Sequence, residues 1–129
     1  MDSKEGILSK NIREFYAEGN SSLKKGSYNS AASLFFKALA VLSDMVILQQ
    51  KGFIPKSHAE RFRILEQSYP DIYAIMDKDF PLYQDSYSLS ISKALAKVIK
   101  NKGQSNKRLR KSLMRCAQNY RPQAMHPPL

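Results

Sequence analysis

Residues 28–51 constrain this chain more than any other stretch. Apolar side chains occur there almost all round a helical wheel: Ala31, Ala32, Leu34, Phe35, Phe36, Leu39, Val41, Leu42, Met45, Val46, Ile47 and Leu48. A helix apolar on every side must be covered on every side. Lys37 and Asp44 interrupt the run over 31–48, so the stretch predicts the buried central helix of a bundle, not a membrane span. No apolar segment that would serve as a secretory signal follows the charges at the N-terminus, and an intracellular, cytoplasmic protein is expected.

The segments that would cover this helix are legible from their periodicity. Leu8, Ile12, Phe15, Gly19 and Leu23 fall on one helical stripe and predict a helix over 3–25, ended by Gly26, with Ser27 placed to cap the next. Gly52 and Pro55 break the chain, and Ser57-His58-Ala59-Glu60 has the Ser-x-x-Glu form of a capping box that opens a third helix to about residue 69. Pro70 predicts a short helical turn to residue 76. Pro81 fits the first turn of a further helix over 82–102, in which Tyr87, Ile91, Leu95 and Val98 face inward and Lys93, Lys97 and Lys100 face out. Gly103 predicts its end. A last amphipathic helix over 105–118 sets Leu109, Leu113 and Cys116 against Lys107, Arg108, Lys111 and Arg115, and the proline-rich residues 121–129 predict a disordered tail.

No stretch alternates with period two between turn signals, so no strand is expected. The expected fold is all-α: an antiparallel up-and-down bundle of four to five helices over 1–103, with a basic C-terminal helix and tail over 104–129. A chain of 129 residues forms one ordinary core, and with Cys116 as its single cysteine it has no internal disulfide.

Charge is distributed unevenly. Residues 1–92 carry eleven Lys and Arg against eleven Asp and Glu. Residues 93–129 carry ten cations, Lys93, Lys97, Lys100, Lys102, Lys107, Arg108, Arg110, Lys111, Arg115 and Arg121, and no acid, so the entire formal charge of +10 lies in the last 37 residues. Segregation of this kind points to a polyanionic partner. Lysines and arginines on successive helical turns can neutralise successive phosphates and release condensed counterions. Tyr120 is the only aromatic after Tyr87, so base stacking and sequence-specific readout are not indicated, and the absence of Trp and Phe from the last helix argues against a membrane surface.

The pattern Gly26-Ser-Tyr-Asn-Ser-Ala-Ala-x-x-Phe-Phe-Lys-Ala-Leu-Ala, followed by Gly52-Phe-Ile-Pro-Lys-Ser-His58, resembles the HEPN superfamily, and more narrowly a small archaeal helical-bundle relative of it, over residues 5–102. The resemblance implies a four- to five-helix bundle, often homodimeric, among whose members are ribonucleases, toxin components and RNA-associated partners of nucleotidyltransferases. Ribonuclease members carry Arg-x(4–6)-His near the start of the last bundle helix. The corresponding residues here, 81–93, contain neither Arg nor His. A literal match at Arg121-Pro-Gln-Ala-Met-His126 lies in the proline-rich tail, which could not hold an imidazole and a guanidinium rigidly beside a phosphate. The run from Glu18 to Leu39 also resembles a tetratricopeptide helix pair, but no second copy follows, and such repeats need about three.

The remaining candidates read as structural. His58 shares a helical face with Phe62, Leu65 and Tyr69 and is expected to be packed or associated with the cap. Asp71, Asp77, Asp79 and Asp85 match no calcium-loop spacing and are read as helix-start and turn charges, so no metal and no cofactor is expected. Cys116 is read as a structural thiol. The sequence thus predicts a non-catalytic bundle that binds RNA or DNA non-specifically through Lys93, Lys97, Lys100, Lys102, Lys107, Arg108, Arg110, Lys111 and Arg115, with a homodimer expected. The alternatives are an adaptor docking an acidic protein and, behind it, a ribonuclease built on His58 or His126.

Overall fold

The computed structural model describes residues 3–118 and contains, among them, six helices and no strand. They are α1 (Lys4–Lys24), α2 (Tyr28–Lys51), α3 (His58–Ser68), α4 (Pro70–Asp85), α5 (Lys93–Ser105) and α6 (Lys107–Gln118). The chain is an all-α helical bundle. The tail over 121–129, with its Arg121 and His126, lies outside the described residues.

The α2 helix is the hub, packing against α1, α4, α5 and α6. Phe35, Phe36, Leu39, Leu42, Met45 and Ile47 are fully buried, as expected of a helix apolar on all sides. By length and composition α2 would suffice to cross a membrane, and in the bundle 72% of its most apolar window is covered by protein. The helix ends at Gly52, whose φ of 84° is the left-handed conformation that glycine adopts without penalty, and whose N–H bonds the Leu48 carbonyl.

Helix starts follow the expected serines with one exception. Ser3 Oγ accepts from Gly6 N at 2.9 Å, and Ser57 Oγ accepts from Glu60 N at 3.1 Å. The Glu60 carboxylate completes the box one residue further back than usual, accepting from Lys56 N at 3.0 Å. Ser27 holds the capping position of α2 but its side chain makes no cap bond, because its backbone (φ −86°, ψ 72°) is not the extended form that aims a cap hydroxyl at the first turn.

The C-terminal half departs from the predicted helix boundaries. Pro81 lies inside α4 and does not open the next helix. Ile72, Met76 and Asp79 are buried on one side of α4 and Phe80 and Tyr83 pack beside the core, so a single face stays covered through the proline; its fixed φ suits a helix, and the cost is one missing N–H bond together with crowding of the ring against the carbonyl four residues back. The break comes at the serine-rich link 86–92, which Asn29 clamps: its amide donates to the carbonyls of Ser86 and Leu89, and its Oδ1 accepts from Ile91 N at 2.8 Å.

The α5 helix accordingly starts at Lys93, and its inward stripe is Ala96, Ile99 and Gly103. Of the four residues expected inside, only Ile91 is buried; Tyr87, Leu95 and Val98 are exposed, by 75%, 40% and 44%. Small residues explain the rotation. A Cβ on Gly103 would stand 2.7 Å from the Tyr16 hydroxyl, so glycine lets α5 close on α1. Gly103 therefore sits within the helix and does not end it. The turn falls at Asn106, whose Oδ1 accepts from Arg108 N at 2.9 Å and Leu109 N at 3.1 Å and so caps α6. The α6 helix packs on α1, α2 and α5, burying Leu109, Ser112 and Cys116.

Candidate polyanion-binding face

The nine cations expected on α5 and α6 do not share one environment. Lys93, Lys97, Lys107, Arg108, Arg110, Lys111 and Arg115 are exposed, whereas Lys100 and Lys102 are half-buried. Lys102 Nζ lies 4.0 Å from the Asp79 carboxylate, which is 1% exposed. Burial pushes the Asp79 carboxyl up, while the charges of Lys102 and Lys78 pull it back. Lys102 is therefore committed to the fold.

Arg108 lies 5.3 Å above the Tyr69 ring, and its guanidinium stands 4.0 Å from Asp71. At Asp71 partial burial raises the carboxyl, but the hydrogen bond from Asn106 (2.7 Å), backbone N–H groups and the Arg108 charge together hold it below its ordinary value. Arg108, Lys111 and Arg115 line one side of a groove of about 330 Å³ whose other wall is Val46, Gln49 and Gln50 of α2. On the far flank of α6, Arg110 donates to the Gln104 carbonyl at 3.2 Å. Lys93, Lys97 and Lys100 recur every three to four residues along one flank of α5.

The four aspartates do not form a site. Asp71 and Asp79 turn to separate partners on α5, α6 and the Asn106 corner, and among the described residues no group of three or more His, Cys, Asp and Glu could hold a metal ion. Cys116 is buried, its Sγ 3.3 Å from Ser9 Oγ.

His58 opens α3 as a largely exposed residue whose ring only borders the aromatic side chains of α4. Its ring centre lies 5.7 Å from that of Phe80 and 6.2 Å from that of Tyr83, and its Nδ1 is 2.6 Å from Arg61 Nη1. Burial against these rings, and then the Arg61 charge, lower its pKa, so the imidazole is neutral at pH 7 and Nδ1 can accept from the guanidinium. Arg61 in turn grips Asp44 with both ends of its fork, at 2.7 Å and 2.9 Å. The pair is nearly buried, the side chains exposed by only 11% and 6%. Desolvation raises the Asp44 carboxyl and the paired guanidinium lowers it; a bidentate bond at these distances favours the ionised pair.

Sequence reasoning missed two features here. Asp44 signals a buried partner by standing alone on an apolar helix, yet nothing in the spacing names Arg61. The second is a groove of about 460 Å³ among α1, α5 and α6, whose lining residues are far apart in sequence. Compared with known proteins, the chain has no significant match to any family model, curated protein or solved structure.

Proposed function

We propose that this protein is a non-catalytic helical bundle of the HEPN type that binds RNA or DNA non-specifically, inside the cell, through the exposed cations of α5 and α6. One observation carries the reading. Seven Lys and Arg between Lys93 and Arg115 are exposed and no acid lies among them, while residues 1–92 are charge-balanced. The contacts are assigned to Lys93, Lys97, Lys107, Arg108, Arg110, Lys111 and Arg115, with Lys100 at the edge; Lys102 is occupied by Asp79. A row of solvated cations neutralises phosphates without reading bases, so affinity should fall steeply with salt and depend little on sequence.

Electrophoretic titration of labelled RNA and duplex DNA at several salt concentrations tests this reading. Each neutralised phosphate contributes roughly −0.7 to −0.9 to the slope of log affinity against log salt. The variant Lys93→Glu/Lys97→Glu/Lys107→Glu/Lys111→Glu should lose on the order of a hundredfold in affinity at low salt and keep its thermal midpoint, since exposed positions contribute little to stability. A slope near zero, or unchanged binding by the variant, refutes the proposal.

The groove formed by Arg108, Lys111 and Arg115 against Val46 favours a second reading, in which an acidic peptide of a protein partner docks there. Pull-down before and after nuclease treatment separates the two, since a partner retained after nuclease supports the adaptor. Homodimerisation belongs to the first reading, with exposed Leu95 and Val98 of α5 available to a second copy; light scattering on the eluting protein checks it.

A further inference from the structure

The groove among α1, α5 and α6 is an apolar concavity that the nucleic-acid reading leaves largely unused. Its floor and walls are Ile12, Tyr16 and Ala17 of α1 with Leu113 and Cys116 of α6, and its rim on α5 carries Lys100, Asn101 and Gln104. A volume of about 460 Å³ falls inside the roughly 300–1,000 Å³ typical of small-molecule sites, and an apolar body with a few convergent polar groups is their usual character.

Two further observations bear on what this groove would take. The Tyr16 hydroxyl, on a lining residue, is buried and has no hydrogen-bond partner among the described residues, so its O–H can donate to an anion; Asn20 Oδ1, likewise buried and unpartnered there, is an acceptor and does not bear on the head group. Native folds leave few such atoms, and each calls for a water, an ion or a ligand nearby. Every charged residue of the lining is cationic: Lys100, and Arg13, which also donates to the Cys116 carbonyl at 3.5 Å. Among the described residues no carboxylate lines the groove. An amphiphile bearing a positive head would therefore meet repulsion there, and one bearing a negative head would find a half-buried ammonium beside two amides.

We propose that this groove binds a small monocarboxylate with an apolar body, its chain between Ile12, Tyr16 and Leu113 and its head at Lys100, with Asn101 and Gln104 beside it. The groove shares only the half-buried Lys100 with the edge of the proposed nucleic-acid face, and its other lining residues are not among the seven exposed cations.

The test uses the full chain and decanoate below its micellar concentration, with decanol and decyltrimethylammonium as probes of matched chain length. Calorimetry should show saturable 1:1 binding of decanoate and at least about tenfold weaker binding of the other two, the scale expected for one partly screened ion pair. The side-chain amide resonances of Asn20, Asn101 and Gln104 should shift on titration. Lys100→Glu should lose affinity by a similar factor, and Ala17→Trp, an exposed position whose new ring fills the groove, should abolish binding at an unchanged thermal midpoint. Absence of saturable binding, equal affinity for the three probes, or undiminished binding by Ala17→Trp overturns the proposal.

Discussion

The α1–α2 hairpin and the α1–α5 crossing use the same device for opposite ends. Each closes two helices through a glycine: Gly19 lets the Phe35 ring lie where a Cβ would stand 2.5 Å away, and Gly103 does the same for the Tyr16 hydroxyl at 2.7 Å. In the first pair the neighbour is an aromatic ring of a fully buried core, and the fit is dry. In the second it is a polar atom with no partner among the described residues, beside a groove, under α5 and α6, helices that carry nine cations and no acid. Close approach builds stability where both surfaces are apolar; where one is polar and space remains, it leaves a surface able to take a ligand.

The largest way to break the stable half is through its one buried ion pair. Asp44→Ala leaves the Arg61 guanidinium without its carboxylate and should cost about 3–5 kcal/mol, read from the urea midpoint. Asp44→Leu with Arg61→Met should recover most of that loss, because two well-packed apolar groups replace a desolvated pair without orphaning either.

Gly19→Ala comes next. Its methyl would press into Phe35, which is held on every side, and overpacking of this kind should cost about 1–3 kcal/mol. Gly103→Ala meets only the tip of a tyrosine, so its cost should be smaller and should shrink further when combined with Tyr16→Phe. Equal costs for the two glycine variants would erase the contrast between the halves.

A smaller effect of opposite sign is expected at Tyr16 alone. Burial pushes its pKa up to about 12, and the hydroxyl has no partner to lose, so Tyr16→Phe should be neutral or stabilising by up to about 1 kcal/mol in thermal denaturation. Wild-type stability should also fall as pH rises from 10 towards 12, where the unfolded chain ionises this phenol and the folded chain resists, and the variant should fall less steeply.

The smallest effect is the titration of His58. Its folded pKa lies below 6.5, so between that value and 6.5 the unfolded chain binds a proton that the native chain does not, and stability should drop as pH falls through this window. Scans at pH 7.5 and 5.5 should show a modest fall in midpoint that His58→Gln abolishes. The ring is largely solvated, which keeps the change below that of either glycine variant.

The N-terminal helices were legible because their signals are strong and local: an all-round apolar run, a clean stripe, a glycine and a serine at the right ends. Beyond residue 70 the local signals misled. Pro81 and Gly103 read as boundaries, yet each lies inside a helix, because a continuous buried face across Pro81 and a close helix crossing at Gly103 outweigh local costs of about 3 and about 1 kcal/mol. Leu95 and Val98 read as core by hydrophobicity, but the small Ala96 and Gly103 decide which side of α5 can approach its neighbours.

The sequence by itself determined that this chain is all helical, that its second helix is the hub, and that its positive charge is gathered at one end, since these depend on composition and near-neighbour spacing. Only the tertiary structure decided which cations remain free, that Asp44 belongs to Arg61 and Lys102 to Asp79, and that three helices enclose a groove beside Lys100. Those facts join residues distant along the chain, and the physical quantity that selects them, the mutual burial of surfaces, exists only once the helices have packed.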